Sequence, residues 1–334
     1  MNNSPFKYNG ADLLYEYDNG DFHIALYADG TKIRTWSKPD PIPAFPESMD
    51  LKITNRCDKN CPYCHEDSTS DGKNGNFDAP FLKILPAGME IALGGGNVFE
   101  MIGHDLENFL RHLKSRHIFP SLTINQSHLV SDKLYGDKTA MDHLAAWLND
   151  DLIYGIGISY NGNADELEAI VTELQSKTDK NIKDHVVLHL IYGVHSYQDV
   201  EPLLNKGYKA LLLGYKTLRR GTDYQAKEAE TIKQNKDEIY RKIHQLIKGF
   251  DVLSFDNLAI KQLDLKRIFL KDKWNEFYMG DDGDHTMYID LVENIFATSS
   301  THSNRQPIEN TIESMFQKIQ KGKFHEQKYQ TARL

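Results

Sequence analysis

Cysteine is scarce in this chain: there are three among 334 residues, and all of them fall between positions 57 and 64. No cysteine stands apart to pair with another, so no structural disulfide is expected, and the composition suits a reducing compartment. Long apolar runs are also missing. No stretch approaches the ~20 residues that cross a bilayer as a helix, and the opening Met1-Asn-Asn-Ser-Pro-Phe-Lys lacks the basic-then-apolar order of an export signal. A cytoplasmic location without membrane contact is the expectation. Positive charge is in deficit, with 39 Lys and Arg against 48 Asp and Glu and a formal net charge of −9. That balance argues against broad attraction to nucleic acid or an anionic membrane. Neither a GxGxxG string nor a Walker-type loop occurs, so nucleotide binding of the ordinary kinds is not expected.

What is present reads as a large α/β protein. Hydrophobic residues make up 40% and charged residues 26% of the chain, ordinary values for a globular protein, and α/β barrels reach this length as one unit. Residues 11–37 alternate in strand fashion, with Asp29-Gly30 marking a hairpin turn. Pro39, Pro41, Pro43 and Pro46 then form a connector. Beyond it, short apolar runs at Met49–Thr54, Glu90–Leu93, Ser121–Asn125, Tyr154–Tyr160, His185–Tyr192, Ala210–Tyr215 and Val252–Phe255 read as strands. Helical patterns separate them, as in Asp105–Lys114 and Asp165–Leu174, where apolar residues recur at three- and four-residue steps. This alternation calls for a parallel sheet with right-handed crossovers. The expected fold is α/β: a partial (β/α)6-type parallel barrel over 48–270, an N-terminal β extension and connector over 1–47, and a C-terminal substrate-covering region over 271–334. In the last, the turn at Gly280–Gly283 predicts a β-hairpin, followed by a helix.

The cysteine loop, Cys57-Asp-Lys-Asn-Cys61-Pro-Tyr-Cys64, follows the first barrel strand, where parallel α/β sheets carry their chemistry. Three soft thiolates on one loop can wrap a face of an iron–sulfur cube and leave its fourth iron without a protein ligand. Other readings fit parts of the string. Cys61-Pro-Tyr-Cys64 has the form of a glutaredoxin dithiol, and with His65 it matches a c-type haem attachment sequence. A zinc tetrahedron of the three cysteines and His65 is chemically allowed. A redox dithiol belongs at the start of a helix, whereas His65-Glu-Asp-Ser-Thr-Ser-Asp-Gly reads as a polar loop.

The spacing C-x-x-x-C-x-x-C, with Tyr63 before its last cysteine, resembles the cluster motif of the radical S-adenosylmethionine (SAM) superfamily. The resemblance covers about residues 49–260. It implies one [4Fe-4S] cluster held by Cys57, Cys61 and Cys64, SAM bound at the open iron, and a 5′-deoxyadenosyl radical that takes hydrogen from a peptide or small-molecule substrate. An electron donor of flavodoxin or ferredoxin type is implied as partner. Gly94-Gly95-Gly96 looks like the Gly-Gly-Glu element that meets the SAM amino group, with Asn97 standing where the family has Glu. By position Ser159 and Asn161 resemble contacts to the SAM ribose or carboxylate, Tyr63 the residue beside the adenine, and Asn125 a similar polar contact. Lys216, with Arg219 and Arg220, is placed to meet a carboxylate of SAM or substrate. His189, inside Val186–Ile191, reads as a satisfied core histidine. No cysteine follows Cys64, so the cysteine-rich C-terminal extension of many peptide-modifying members is absent. The rival class is a non-catalytic iron–sulfur or zinc protein.

Overall fold

The structure, a computed structural model, describes residues 7–8, 10–270, 273–274 and 277–331. Its strands in chain order are β1 (Lys7–Tyr8), β2 (Ala11–Asn19), β3 (Phe22–Tyr27), β4 (Lys32–Trp36), β5 (Ser48–Thr54), β6 (Glu90–Gly95), β7 (Phe119–Asn125) and β8 (Leu134–Tyr135). They continue as β9 (Lys138–Thr139), β10 (Gly155–Ser159), β11 (Val186–Ile191), β12 (Lys209–Leu213), β13 (Val252–Phe255), β14 (Thr286–Asp290), β15 (Ile295–Ala297) and β16 (Gln306–Pro307). The α-helices are α1 (Leu106–Ser115), α2 (Gln126–Leu129), α3 (Ala140–Asn149), α4 (Ala164–Lys177) and α5 (Ile182–His185). After them come α6 (Tyr197–Val200), α7 (Arg220–Lys227), α8 (Ala229–Gly249), α9 (Asn257–Leu263) and α10 (Ile312–Thr331).

The large sheet has ten strands in the order β13-β12-β11-β10-β7-β6-β5-β14-β15-β16. All pairings from β13 to β14 are parallel, while β15 and β16 run antiparallel. The architecture is thus mixed α/β with a large, mainly parallel sheet. It is also curved. Lys216, just beyond β12, has its Nζ 3.2 Å from His65 Nε2, beyond β5. Four strands separate β12 from β5, and a flat sheet would hold them about 24 Å apart.

Side-chain alternation gives the sheet two unlike faces. Met49, Leu51, Ile53, Ile91, Leu93, Leu122, Ile124, Ile156, Ile158, Leu188 and Leu190 are buried in one core cluster with Phe109, Leu110, Leu144, Leu167 and Ile239 of the flanking helices. The other face, in register across the strands, carries Asp50, Lys52, Ala92, Gly94, Ser121, Thr123, Gly155 and Gly157. Small and charged residues there line the inside of the curve.

The N-terminal sheet, ordered β1-β2-β3-β4, turns between β3 and β4 around Asp29-Gly30 as expected. It packs against the amino ends of the large sheet: Tyr15 stacks on His117 at 5.3 Å and meets Phe119 at 5.9 Å, and Phe22 stands edge-on to His285 at 5.4 Å.

The C-terminal portion differs from the sequence reading. Gly280 and Gly283 do adopt positive φ, but the hairpin forms one turn later, between β14 and β15. β14 pairs in parallel with β5, so this hairpin extends the large sheet. The reason is long-range: β14 buries Met287 and Ile289 in the shared core, whereas Phe277 packs on Phe255 and Phe269. Among the described residues no helix is long and apolar enough to cross a membrane.

Candidate functional site

The chain leaves β5 into an irregular loop whose backbone is tied to itself. Cys57 N donates to Thr69 O at 2.8 Å, Thr69 N to Asn55 O at 3.1 Å, and Cys64 N to Cys61 O at 3.2 Å. The three cysteines are free and half-buried. Asn125 Nδ2 donates to Cys61 Sγ at 3.6 Å, and His128 Nε2 lies 3.6 Å from Cys57 Sγ. Burial pushes the Cys57 and Cys61 thiols up, which is the opposite of what a reactive dithiol needs. No α-helix starts in the loop, so the setting that a glutaredoxin dithiol requires is missing.

The zinc tetrahedron completed by His65 fares no better. His65 Nε2 lies 3.2 Å from Glu66 Oε1 and 3.2 Å from Lys216 Nζ, engaged with those groups. One zinc ion bound by three thiolates draws the sulfurs to about 3.8 Å of one another. Among the described residues, the group whose ligand atoms all fall within 4.8 Å of one another is Cys57, Asp58 and His128, which takes one sulfur of the three. Wider spacing of soft donors on one loop fits a multi-iron cluster better than a single ion.

The glycine run performs two different tasks. Gly94 and Gly95 lie inside β6 rather than after it. A Cβ on Gly95, whose φ is +112°, would fall 2.2 Å from Thr54 O, and one on Gly96 would fall 2.2 Å from Arg56 O. Both therefore let β6 press on the backbone that leads into the cysteine loop. Gly94 is different: its Cβ would meet nothing nearer than Thr123 Cβ at 3.5 Å. Asn97 is buried, with Oδ1 accepting from Phe99 N at 3.2 Å and Nδ2 donating to Tyr135 OH at 2.8 Å. Its amide is committed to local structure.

Asn125, Ser159 and His189 stand in register on adjacent strands at the carboxyl edge. His189 is not a satisfied core residue. It lies on the inner face, its Cε1 2.4 Å from where a Cβ on Gly157 would be. Burial, then Lys216, lower it to about 4, so it is neutral near pH 7. Asn161 is fixed by its loop, donating to Glu166 Oε1 at 2.7 Å and accepting from Asn163 N at 2.9 Å. The Tyr63 ring stands edge-on to Tyr224 of α7 at 5.7 Å.

Of the three cations after β12, two are taken by the cysteine loop. Arg219 donates to Glu66 O at 2.9 Å, and Arg220 donates to Ser68 O at 2.7 Å while its Nε lies 3.0 Å from Asp67 Oδ1. Arg219 does this from φ +50°, a conformation rarely adopted by a side-chain-bearing residue. Lys216 alone turns inward, donating to Ser300 Oγ at 3.0 Å.

Sequence reasoning missed the charged residues beneath this rim. Lys52 is 2% exposed and lies 2.7 Å from Glu66 and 3.1 Å from Asp290, which is 0% exposed. Burial alone would raise the Glu66 carboxyl, but His65 and Lys52 outweigh it and hold it well below the usual range. Asp50, two residues earlier on the same face, keeps solvent contact, yet desolvation by the surrounding protein, with Asp282, Asp256 and Glu66, raises its carboxyl against Lys216. Two charged residues alternating with Met49, Leu51 and Ile53 were the available signal, since period two puts both on one face.

No family model and no curated protein matches this chain. Solved structures do. The native form of anSMEcpe, a radical SAM enzyme, with bound AdoMet and Cp18Cys peptide, superposes at TM-score 0.50 and 11% identity, covering 81% of this chain and 79% of that one. A polyhistidine-tagged anSMEcpe with bound AdoMet gives TM-score 0.52 and 12% identity over 82% and 79%. The chain has the radical SAM fold.

Proposed function

We propose that this chain is a single-cluster radical SAM enzyme in which Cys57, Cys61 and Cys64 hold one [4Fe-4S] cluster, with SAM at the iron left without a protein ligand. The observation that carries the reading is three free sulfurs gathered at the carboxyl edge of a curved parallel sheet, in a fold shared with an AdoMet-bound enzyme. We read the curved strands from β5 to β13 as that superfamily's partial barrel, with 1–47, 48–270 and 271–334 as its segments. When bound, the cluster would supply one electron for cleavage of a carbon–sulfur bond of SAM, giving methionine and a 5′-deoxyadenosyl radical that would take hydrogen from the substrate.

The chain's own groups prepare the site. Asn125 Nδ2 points a donor at Cys61 Sγ, a contact that favours a thiolate there against the burial that raises this thiol. Gly94 leaves the inner face open beside Thr123. Ser159, Asn161 and Tyr63 are the polar groups we assign to SAM, Lys216 is left for a carboxylate of the substrate, and Gly95, Gly96 and Asn97 support the strand that carries Gly94. A flavodoxin- or ferredoxin-type protein is the proposed electron donor, and the cytoplasm the proposed location. A neighbour with bound peptide favours a peptide over a small molecule as substrate.

The test is anaerobic reconstitution followed by SAM and dithionite. About four iron and four sulfide per chain and release of 5′-deoxyadenosine are expected, and Cys57→Ala should abolish both. Loaded protein that never releases 5′-deoxyadenosine sinks the reading. The grouping of Cys57, Asp58 and His128 favours a second reading, a non-catalytic metal protein. That reading predicts about one zinc per chain, lost in His128→Ala, and no affinity for SAM.

A further inference from the structure

A cavity of about 360 Å³ opens between the cysteine loop, the approach to α7 and the segment from β14 to β16, with His65, Glu66, Arg219, Glu293, Ser300 and Arg305 on its wall. Glu66 is already matched by Lys52 and Arg219. Two half-buried cations meet Ser300 of this wall and are not matched, Arg305 from the wall itself and Lys216 from just behind it. Lys216 contacts Ser300 Oγ at 3.0 Å and His65 Nε2 at 3.2 Å. Arg305 donates from Nη2 to Ser300 O at 2.7 Å and lies over the Tyr288 ring at 5.8 Å. Among the described residues neither has a carboxylate within ion-pair reach; Asp50 and Asp256 act on Lys216 only at longer range. This happens in a chain with 48 acids and 39 bases, where a carboxylate partner is easily supplied. Ser300 thus sits between two cations that lack one.

Resting on the reading of this chain as an enzyme, we propose that the cavity seats a carboxylate of a peptide substrate between Lys216 and Arg305, with Ser300 bridging them. A guanidinium matches a planar carboxylate through two parallel N–H donors, and an ammonium adds a point charge. A dianionic phosphate is disfavoured by Glu66 and the exposed Glu293 on the same wall. The volume lies within the range of small-ligand sites and admits an acidic side chain or a carboxyl terminus.

Titration calorimetry on the full chain tests this with acetyl-Gly-Glu-Gly-amide, its Gln twin, and succinate. The Glu peptide should bind at least about tenfold more tightly than the Gln twin. Arg305→Gln and Lys216→Met should each weaken it about tenfold, as expected for loss of a charged hydrogen bond. Arg305→Lys keeps the charge and guards against misfolding, and should retain most of the affinity. Equal binding of the two peptides, indifference to both variants, or no saturable heat at about 10 mM overturns the proposal. Succinate binding as tightly as the Glu peptide overturns the peptide assignment. Displacement of the Glu peptide by SAM assigns the cavity to SAM's own carboxylate and overturns it too. The measurement needs neither cluster nor turnover, so failure to release 5′-deoxyadenosine leaves its result readable.

Discussion

At the amino end of β5, the Glu47 side chain is 1% exposed and is gripped by Lys32, Arg34 and His285. At the carboxyl end, Lys52 is 2% exposed and sits between Glu66 and Asp290. Both are buried ionic clusters, five residues apart along the chain, yet they close differently. The partners of Glu47 come from β4 and from just before β14, and Lys32 reaches on to Glu90. That set fastens the N-terminal sheet to the large one, and aromatic rings fill the space around it. The upper set passes its charge outward instead, through Glu66 to Arg219 and His65, then to Lys216, Ser300 and Arg305 at a cavity. Burying charge is expensive unless each group is paired. A cluster whose members pair only with one another is a fastening, whereas one that ends in unmatched cations beside a cavity is prepared for a ligand.

The strongest way to break this contrast is Lys52→Met. It leaves two buried carboxylates facing each other, and a loss of about 3–5 kcal/mol is expected in urea unfolding. A loss under about 1 kcal/mol would mean that the upper cluster is solvated and not comparable with the lower. Next is Glu47→Gln. Burial pushes the Glu47 carboxyl up, but His285, Arg34 and Lys32 outweigh it and hold it at about 2, against an ordinary 4.5. A carboxyl held low stabilises the fold above its unfolded value and loses that contribution as pH falls. Roughly 2–3 kcal/mol should therefore be present at pH 7 and fade from about pH 4.5 downwards. Glu47→Gln should lack this part of the acid limb in unfolding at stepped pH, while SAM affinity stays unchanged. A fall in SAM affinity equal to that of a Gly94→Ala variant would erase the distinction between the two ends.

Much of the fold was legible because its signals are local. Each strand expected in the large sheet is a short apolar run stopped by polar residues, so Val252–Phe255 was read to the residue and the others to within one or two. The cysteine loop was legible for the same reason: its three cysteines lie within eight positions. What escaped notice depends on residues distant in sequence. The turn chemistry at Gly280 and Gly283 is real, but nothing near it announces that β14 will choose β5 as partner. Arg219 and Arg220 looked free for a ligand because the loop that consumes them lies some 150 residues earlier. His189 looked like core because its neighbours are apolar, yet alternation turns it to the opposite face. Asn97 aligned with a family acid, but its amide is drawn to Tyr135, 38 positions on.

The smallest expected effect sharpens the contrast most, because it asks only whether each end has room for a methyl group. At the amino end a Cβ on Gly88, whose φ is +88°, would fall 2.3 Å from the Tyr17 ring. Gly88→Ala therefore combines backbone strain with a clash and should cost about 1–3 kcal/mol. At the carboxyl end Gly94 pairs with Lys52, and its Cβ would reach Thr123 only at an ordinary contact distance of 3.5 Å. Gly94→Ala should change stability by no more than about 0.5 kcal/mol. The methyl would still project from the inner face that we assign to SAM, so calorimetry on reconstituted protein should show weaker SAM binding with an unchanged melting temperature. If Gly94→Ala unfolds as readily as Gly88→Ala, the carboxyl end is packed like the amino end, and the open face required for a ligand is not there.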